Sequence, residues 1–251
     1  MRRWGIACAS AGPFIALAVL VDLGLVDAFD SIAREWARPN NVWGTAQLRA
    51  DLVVEGLRPA VVAGLLAAFT LAYCVKRRSF RPAAFVGLVC IATATLTIAL
   101  KTSVGRADPH GSVAYTGGSF PSGHMVSVIV CLGLALLISV PRAGAWIWLI
   151  PATGGVLMGT SLLLQAAHWS TDIVGGALLA TSVLAVTTAS GYSRWLHNPS
   201  ANDQGFSDSG ESAASSLAPV GHERFGERRG ISQPATWVGT DCYDPGRGKV
   251  S

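Results

Sequence analysis

The chain has 251 residues, of which 51% are hydrophobic and only 14% charged, with a mean hydropathy of +0.43. That balance argues against a water-soluble globular body and for an integral membrane protein, most of it lipid-facing or bundle-interior helix. The basic residues behind the net charge of +4 do not form one patch, and several lie at the ends of apolar runs, so nucleic acid is not an expected partner.

In chain order, the first apolar run follows Arg2-Arg3 and extends from about residue 6 to 28. It resembles a signal peptide at its start but continues too far for one, and is read as a retained span. At about 17 to 25 residues per crossing, further spans are predicted near residues 57 to 75, 83 to 101, 124 to 140, 144 to 167 and 172 to 190. The expected fold is therefore all-α, a polytopic bundle of about six transmembrane helices. Pro82 and Pro141 flank spans where a missing backbone donor does little harm. Trp4, Trp146 and Trp148 fall at interfacial depth. Cys8, Cys74, Cys90, Cys131 and Cys242 show no metal or CxxC spacing and are read as small packing residues.

Orientation follows from the connections. Arg2 and Arg3, the group Lys76, Arg77, Arg78 and Arg81, and Arg142 all mark cytoplasmic ends. Both termini are then cytoplasmic, and residues 29 to 56, 102 to 123 and 168 to 171 lie outside, with a bacterial plasma membrane as the expected location. Residues 1 to 190 form the membrane domain. From residue 191 onward the sequence is rich in Gly, Ser and Pro with mixed charge, and reads as a disordered cytoplasmic tail.

The outside connections collect the unusual polar residues. Lys101, Arg106 and Asp108 follow the third span, Ser122 and His124 open the fourth, and His168 and Asp172 lie between the fifth and sixth. Ionisable groups at membrane level are costly and count as functional candidates. Ser119-Phe-Pro-Ser-Gly-His124 suits an anion: a helix start offers free N–H groups and partial positive charge, Ser122 is a good N-cap, and Gly123 permits close approach. A plain cap and turn is the alternative reading of that segment. His168 and Asp172 are four residues apart, so on a helical turn the carboxylate can orient the imidazole; a cap with an interfacial histidine is the alternative there. Lys101 is one of three lysines among nineteen basic side chains, and snorkelling is its bland role.

Taken jointly, Lys101-Thr-Ser-Val-Gly-Arg-Ala-Asp-Pro109, Pro121-Ser-Gly-His124 and Ser161-Leu-Leu-Leu-Gln-Ala-Ala-His168-Trp-Ser-Thr-Asp172 resemble the three ordered motifs of the phosphatidic acid phosphatase type 2 superfamily, relatives of the vanadium haloperoxidases. Those motifs are KxxxxxxRP, PSGH and SRxxxxxHxxxD. Asp108 and Leu162 stand where two motif arginines belong, and Arg106 is the nearby candidate substitute for the first. The resemblance implies a membrane phosphatase acting on a lipid phosphate or pyrophosphate at the outer face. By it, His168 is the nucleophile oriented by Asp172, and His124 the general acid and base. Lys101, Arg106, Ser122 and Gly123 would hold the phosphoryl oxygens. Neither metal nor cofactor is implied, and membrane lipids are the surroundings. The loss of two arginines leaves a second reading open, a catalytically weakened or inactive member that binds a phosphate or lipid.

Overall fold

The computed structural model describes residues 2–113, 117–140 and 144–190, with side chains from Trp4 onward. The expectations for Arg142, Cys242 and residues 191–251 lie outside the described residues. Within them the chain is all-helical. The order is α1 (Arg2–Asp22), α2 (Asp27–Ala37), a 3-10 turn (Pro39–Asn41), α3 (Thr45–Gly56), α4 (Pro59–Arg77), α5 (Arg81–Val104), α6 (Gly123–Ser139), α7 (Trp146–Gln165) and α8 (Ser170–Ala189). Five of these, α1, α4, α5, α7 and α8, are long and apolar enough to cross a membrane, and α6 is a shorter apolar helix. All six expected spans therefore have a helix, each close to its predicted range.

The first span is the exception in detail, because α1 stops at Asp22 and α2 begins at Asp27. Gly24 adopts φ +68 between them, a left-handed turn that glycine enters without a Cβ penalty. Residues 29 to 56, read from sequence only as a connection, hold the rest of α2 and all of α3, and Asp27 and Ala28, read as the end of the first span, start α2. On α2, Phe29, Ile32 and Trp36 are exposed while Asp30 is fully buried. The apolar stripe of α2 thus faces away from the protein, and Asp30 faces in.

α6 is the centre of the bundle, packed against α4, α7 and α8, while α1 lies along α8 and α3 along α7. Its short length matches its interior position: ten of its seventeen residues are buried. Small residues allow the close packing that membrane helices rely on. A Cβ on Gly176 would lie 2.8 Å from both the Met125 Cβ and the Ser122 carbonyl oxygen, so only glycine lets α8 sit against the start of α6. This approach brings the Pro-Ser-Gly-His segment onto the His168–Asp172 segment, and the Ser122 amide donates to the Asp172 carbonyl at 3.0 Å. α3 is tied to the end of α7 by the Gln165 amide, which donates to Asp51 Oδ1 at 2.6 Å. The Arg38 guanidinium adds a bond to the Gln165 carbonyl at 3.0 Å.

Candidate active site

Three helix ends meet at one end of the bundle. α5 ends at Gly105, which takes φ +61 as its left-handed cap. That stop turns the chain into a loop lying back over the α5 terminus. Gly118 is pressed against it so closely that a Cβ would clash with the Arg106 amide nitrogen. The loop supplies acceptors for Lys101, whose Nζ donates to the carbonyls of Gly118 at 2.8 Å and Ser119 at 3.3 Å. Lys101 is 9% exposed, and a Cβ on Gly123 would meet its Cε at 3.7 Å. The lysine therefore stands beside the first residue of α6.

The two histidines face each other with ring centroids 6.0 Å apart at 70°. His168 Nδ1 lies 3.4 Å from Asp172 Oδ2, and the same oxygen accepts the Trp169 amide at 3.1 Å. Asp172 is fully buried in the first turn of α8, where a carboxylate is favoured by the helix dipole. The imidazole contact is long for a full hydrogen bond. Ser122 occupies the N-cap position of α6, but its side chain makes no capping bond. Its Oγ is buried and has no hydrogen-bond partner, an arrangement that costs about 1–3 kcal/mol when nothing satisfies it.

Arg106 reaches the same site but not as an unengaged cation. Its Nη1 donates to Thr171 Oγ1 at 2.8 Å and Asp172 Oδ1 at 3.2 Å, and its Nη2 to Asp27 Oδ1 at 2.9 Å and Asp30 Oδ2 at 2.8 Å. The guanidinium also lies over the Trp169 ring, 5.3 Å from its centroid, and the indole N–H is anchored on the Ala107 carbonyl at 2.9 Å. Burial works against the charge of Arg106, yet Asp30, Asp172 and Asp27 outweigh it and raise the pKa. The expected role of Arg106 as a phosphate ligand thus meets a side chain already engaged by three carboxylates.

The two departures from the arginine pattern also have places. Asp108 Oδ1 accepts the amides of His110 and Ser112, both at 2.9 Å, so it closes a turn. Leu162 is fully buried in the apolar core that also holds Met158 and Phe120.

Sequence reasoning did not find Asp27 and Asp30. Asp30 accepts the Thr171 amide at 2.9 Å and the hydroxyls of Ser170 and Thr171. Burial disfavours its charge, but the bonds from Ser170, Thr171 and Arg106 prevail and hold its carboxyl below the ordinary value. Its contribution to stability is therefore present above the usual carboxylate pKa and lost as the pH falls through the lowered one. The available signal was an acid pair three residues apart beside an apolar stripe at 29, 32 and 36. Among the described residues no cluster of His, Cys, Asp or Glu is arranged to hold a metal ion.

Below Lys101 and Gly123 runs a groove of about 370 Å³ between α4, α5 and α6. Its walls include Pro59, Thr97, Val126, Ser127 and Val130. The groove is mainly apolar and ends at the polar cluster.

Residues 82–196 match the model of the PAP2 superfamily. No curated protein matches the chain significantly. Among solved structures it is similar to the first transmembrane PAP2 type phosphatidylglycerolphosphate phosphatase from Bacillus subtilis, with a TM-score of 0.64 and 18% identity over 73% of this chain and 94% of that one. At that identity the likeness is one of fold.

Proposed function

Because residues 82–196 belong to the PAP2 superfamily, we propose that the protein is a membrane phosphatase that removes phosphate from a lipid phosphate or pyrophosphate through a phosphohistidine. The observation that carries this reading is the pair of histidine rings 6.0 Å apart, one of them backed by Asp172. With Nδ1 of His168 turned to Asp172, Nε2 is the atom left to attack phosphorus. The new N–P bond forms as the P–O bond to the leaving group breaks, and His124 protonates the departing oxygen. His124 then takes a proton from water, which attacks phosphorus, releases inorganic phosphate and frees His168. Attack needs an approach of about 3–3.5 Å and proton transfer about 2.6–3.2 Å, which two facing rings at this spacing suit.

The phosphoryl oxygens are held in this reading by Lys101, by the unpartnered hydroxyl of Ser122 and by the start of α6 at Gly123, where free N–H groups and the helix dipole favour an anion. The apolar groove below them suits a lipid tail. Purified protein in detergent should release phosphate from members of a panel of lipid phosphates and pyrophosphates. The competing reading, a phosphate- or lipid-binding member without turnover, draws on the burial of Leu162 and the engagement of Arg106. It is favoured if the panel binds but no phosphate is released.

The site is proposed to face the outside, because Lys76, Arg77, Arg78 and Arg81 lie at the α4–α5 turn, the opposite ends of these helices from Lys101. A cysteine introduced at Ser112 should react with an impermeant reagent in intact cells, and one at Ser79 should not. The reverse labelling would put the histidines on the cytoplasmic side.

A further inference from the structure

We propose that Arg106 is a positioning residue: held by Asp30 of α2, it fixes the carboxylate of Asp172 and, through it, the imidazole of His168. The inference rests on the phosphatase reading of His168 but concerns geometry that can be read without turnover.

Asp172 divides its two oxygens. Oδ1 takes Arg106 Nη1 at 3.2 Å, while Oδ2 takes the Trp169 amide at 3.1 Å and faces His168 Nδ1 at 3.4 Å. A carboxylate bonded on one oxygen only can rotate about its Cβ–Cγ bond; with Arg106 on the other oxygen the plane is pinned and Oδ2 stays toward the imidazole. Arg106 is itself pinned. Its second Nη is bridged by Asp27 and Asp30, and Trp169 covers one face.

Asp30 is the fixed point of the arrangement. It is fully buried, and besides Arg106 it receives the Thr171 amide and the hydroxyls of Ser170 and Thr171. These residues form the first turn of α8, so a carboxylate from α2 caps that helix from outside its own sequence. Thr171 Oγ1 contacts both Arg106 and Asp30, which ties the cap to the ion pair. The same helix turn carries Asp172.

A phosphate clamp is the competing role, and the surroundings oppose it. One guanidinium faces three carboxylates, from Asp27, Asp30 and Asp172. A phosphate approaching it would meet that excess of negative charge, with both terminal nitrogens already committed. Lys101, whose partners are neutral carbonyls, has no such obstacle.

The test uses Arg106→Gln, Asp30→Asn and the double variant of the full chain, with competitive inhibition by inorganic phosphate measured alongside turnover. Loss of orientation by about an ångström costs on the order of 100-fold. Each single variant should therefore lower kcat by roughly that factor, with KM and the inhibition constant for phosphate nearly unchanged. The double variant should be little worse than either single one, as for residues acting as a unit. A rise of about tenfold or more in KM and in the phosphate inhibition constant, with kcat kept, would assign Arg106 to the clamp and overturn the proposal; so would additive losses.

A readout without turnover is the downfield proton resonance of His168 Nδ1–H, assigned by its absence in His168→Ala. It should weaken or shift in both single variants and remain in Lys101→Met. If the parent protein releases no phosphate, the phosphatase reading fails while this resonance still decides the positioning role. An unchanged resonance in both variants would refute it. Where Asp30→Asn does not fold, Thr171→Val, which removes only the shared hydroxyl, is expected to move the resonance in the same direction, and an unchanged signal there refutes the proposal equally.

Discussion

His168→Ala is expected to lower phosphate release by roughly four orders of magnitude or more, the scale on which loss of a nucleophile is felt. Asp172→Asn falls less far, because it keeps the attacking nitrogen and removes only the charge 3.4 Å from Nδ1. The measurement is labelled phosphate release by purified variants matched for thermal stability in detergent. It is paired with rapid quenching to trap an acid-labile label on the protein. The parent should carry that label transiently and His168→Ala should not. Turnover by His168→Ala at the parent rate would remove the phosphohistidine and leave the His124 side of the site to be explained in another way.

Leu162→Arg is the second large effect, and its sign opposes what the motif pattern suggests. Restoring the motif arginine looks like restoring a phosphate contact, but the side chain at this position is fully buried in the apolar core. Enforced burial of an unpaired guanidinium costs several kcal/mol, and its greater bulk adds about 1–3 kcal/mol of overpacking. The expected result is a loss of more than about 3 kcal/mol, seen as a lowered unfolding temperature and a poor yield of folded protein. Leu162→Met, which roughly conserves volume, should cost less than about 1.5 kcal/mol. A well-folded Leu162→Arg enzyme with raised kcat/KM would show that this part of α7 opens toward the phosphate after all.

What the sequence made legible was whatever repeats over a helix length or keeps a fixed local spacing. The six apolar runs announced the bundle because each is about as long as a membrane is thick. Ser122 to His124 announced itself as a helix start with free N–H groups, and His168 to Asp172 because a helix turn sets who can meet whom across four residues. The structure does bring Lys101, His124 and His168 to one end of the bundle. What stayed hidden depends on contacts between distant parts of the chain. Arg106 lies 76 residues from Asp30 and 66 from Asp172, and no local spacing rule reaches that far.

α2 was hidden for a second reason. A helix in a soluble protein buries its apolar stripe, whereas here Asp30 is buried and Phe29, Ile32 and Trp36 are exposed. A reading that equates apolar with inside inverts such a helix. Asp108 shows the converse, a residue conspicuous in the motif whose carboxylate turns out to close a backbone turn.

The buried carboxylate on α2 also limits how freely the polar cluster around Arg106 can be moved between proteins. Asp27 and Asp30 precede residue 82, yet they complete the charge arrangement around Arg106 and the first turn of α8. A chimera that borrowed only residues 82–196 would inherit the histidines, Arg106 and Asp172 while leaving two of the three carboxylates in the donor. Its guanidinium would keep one acidic partner, and its sixth span would begin without the cap. Substitutions at positions 30, 106 and 171 are therefore not independent: loss of the charge at 30 or 106, or of the hydroxyl at 171, changes what the other two can tolerate, across sequence separations of up to 141 residues.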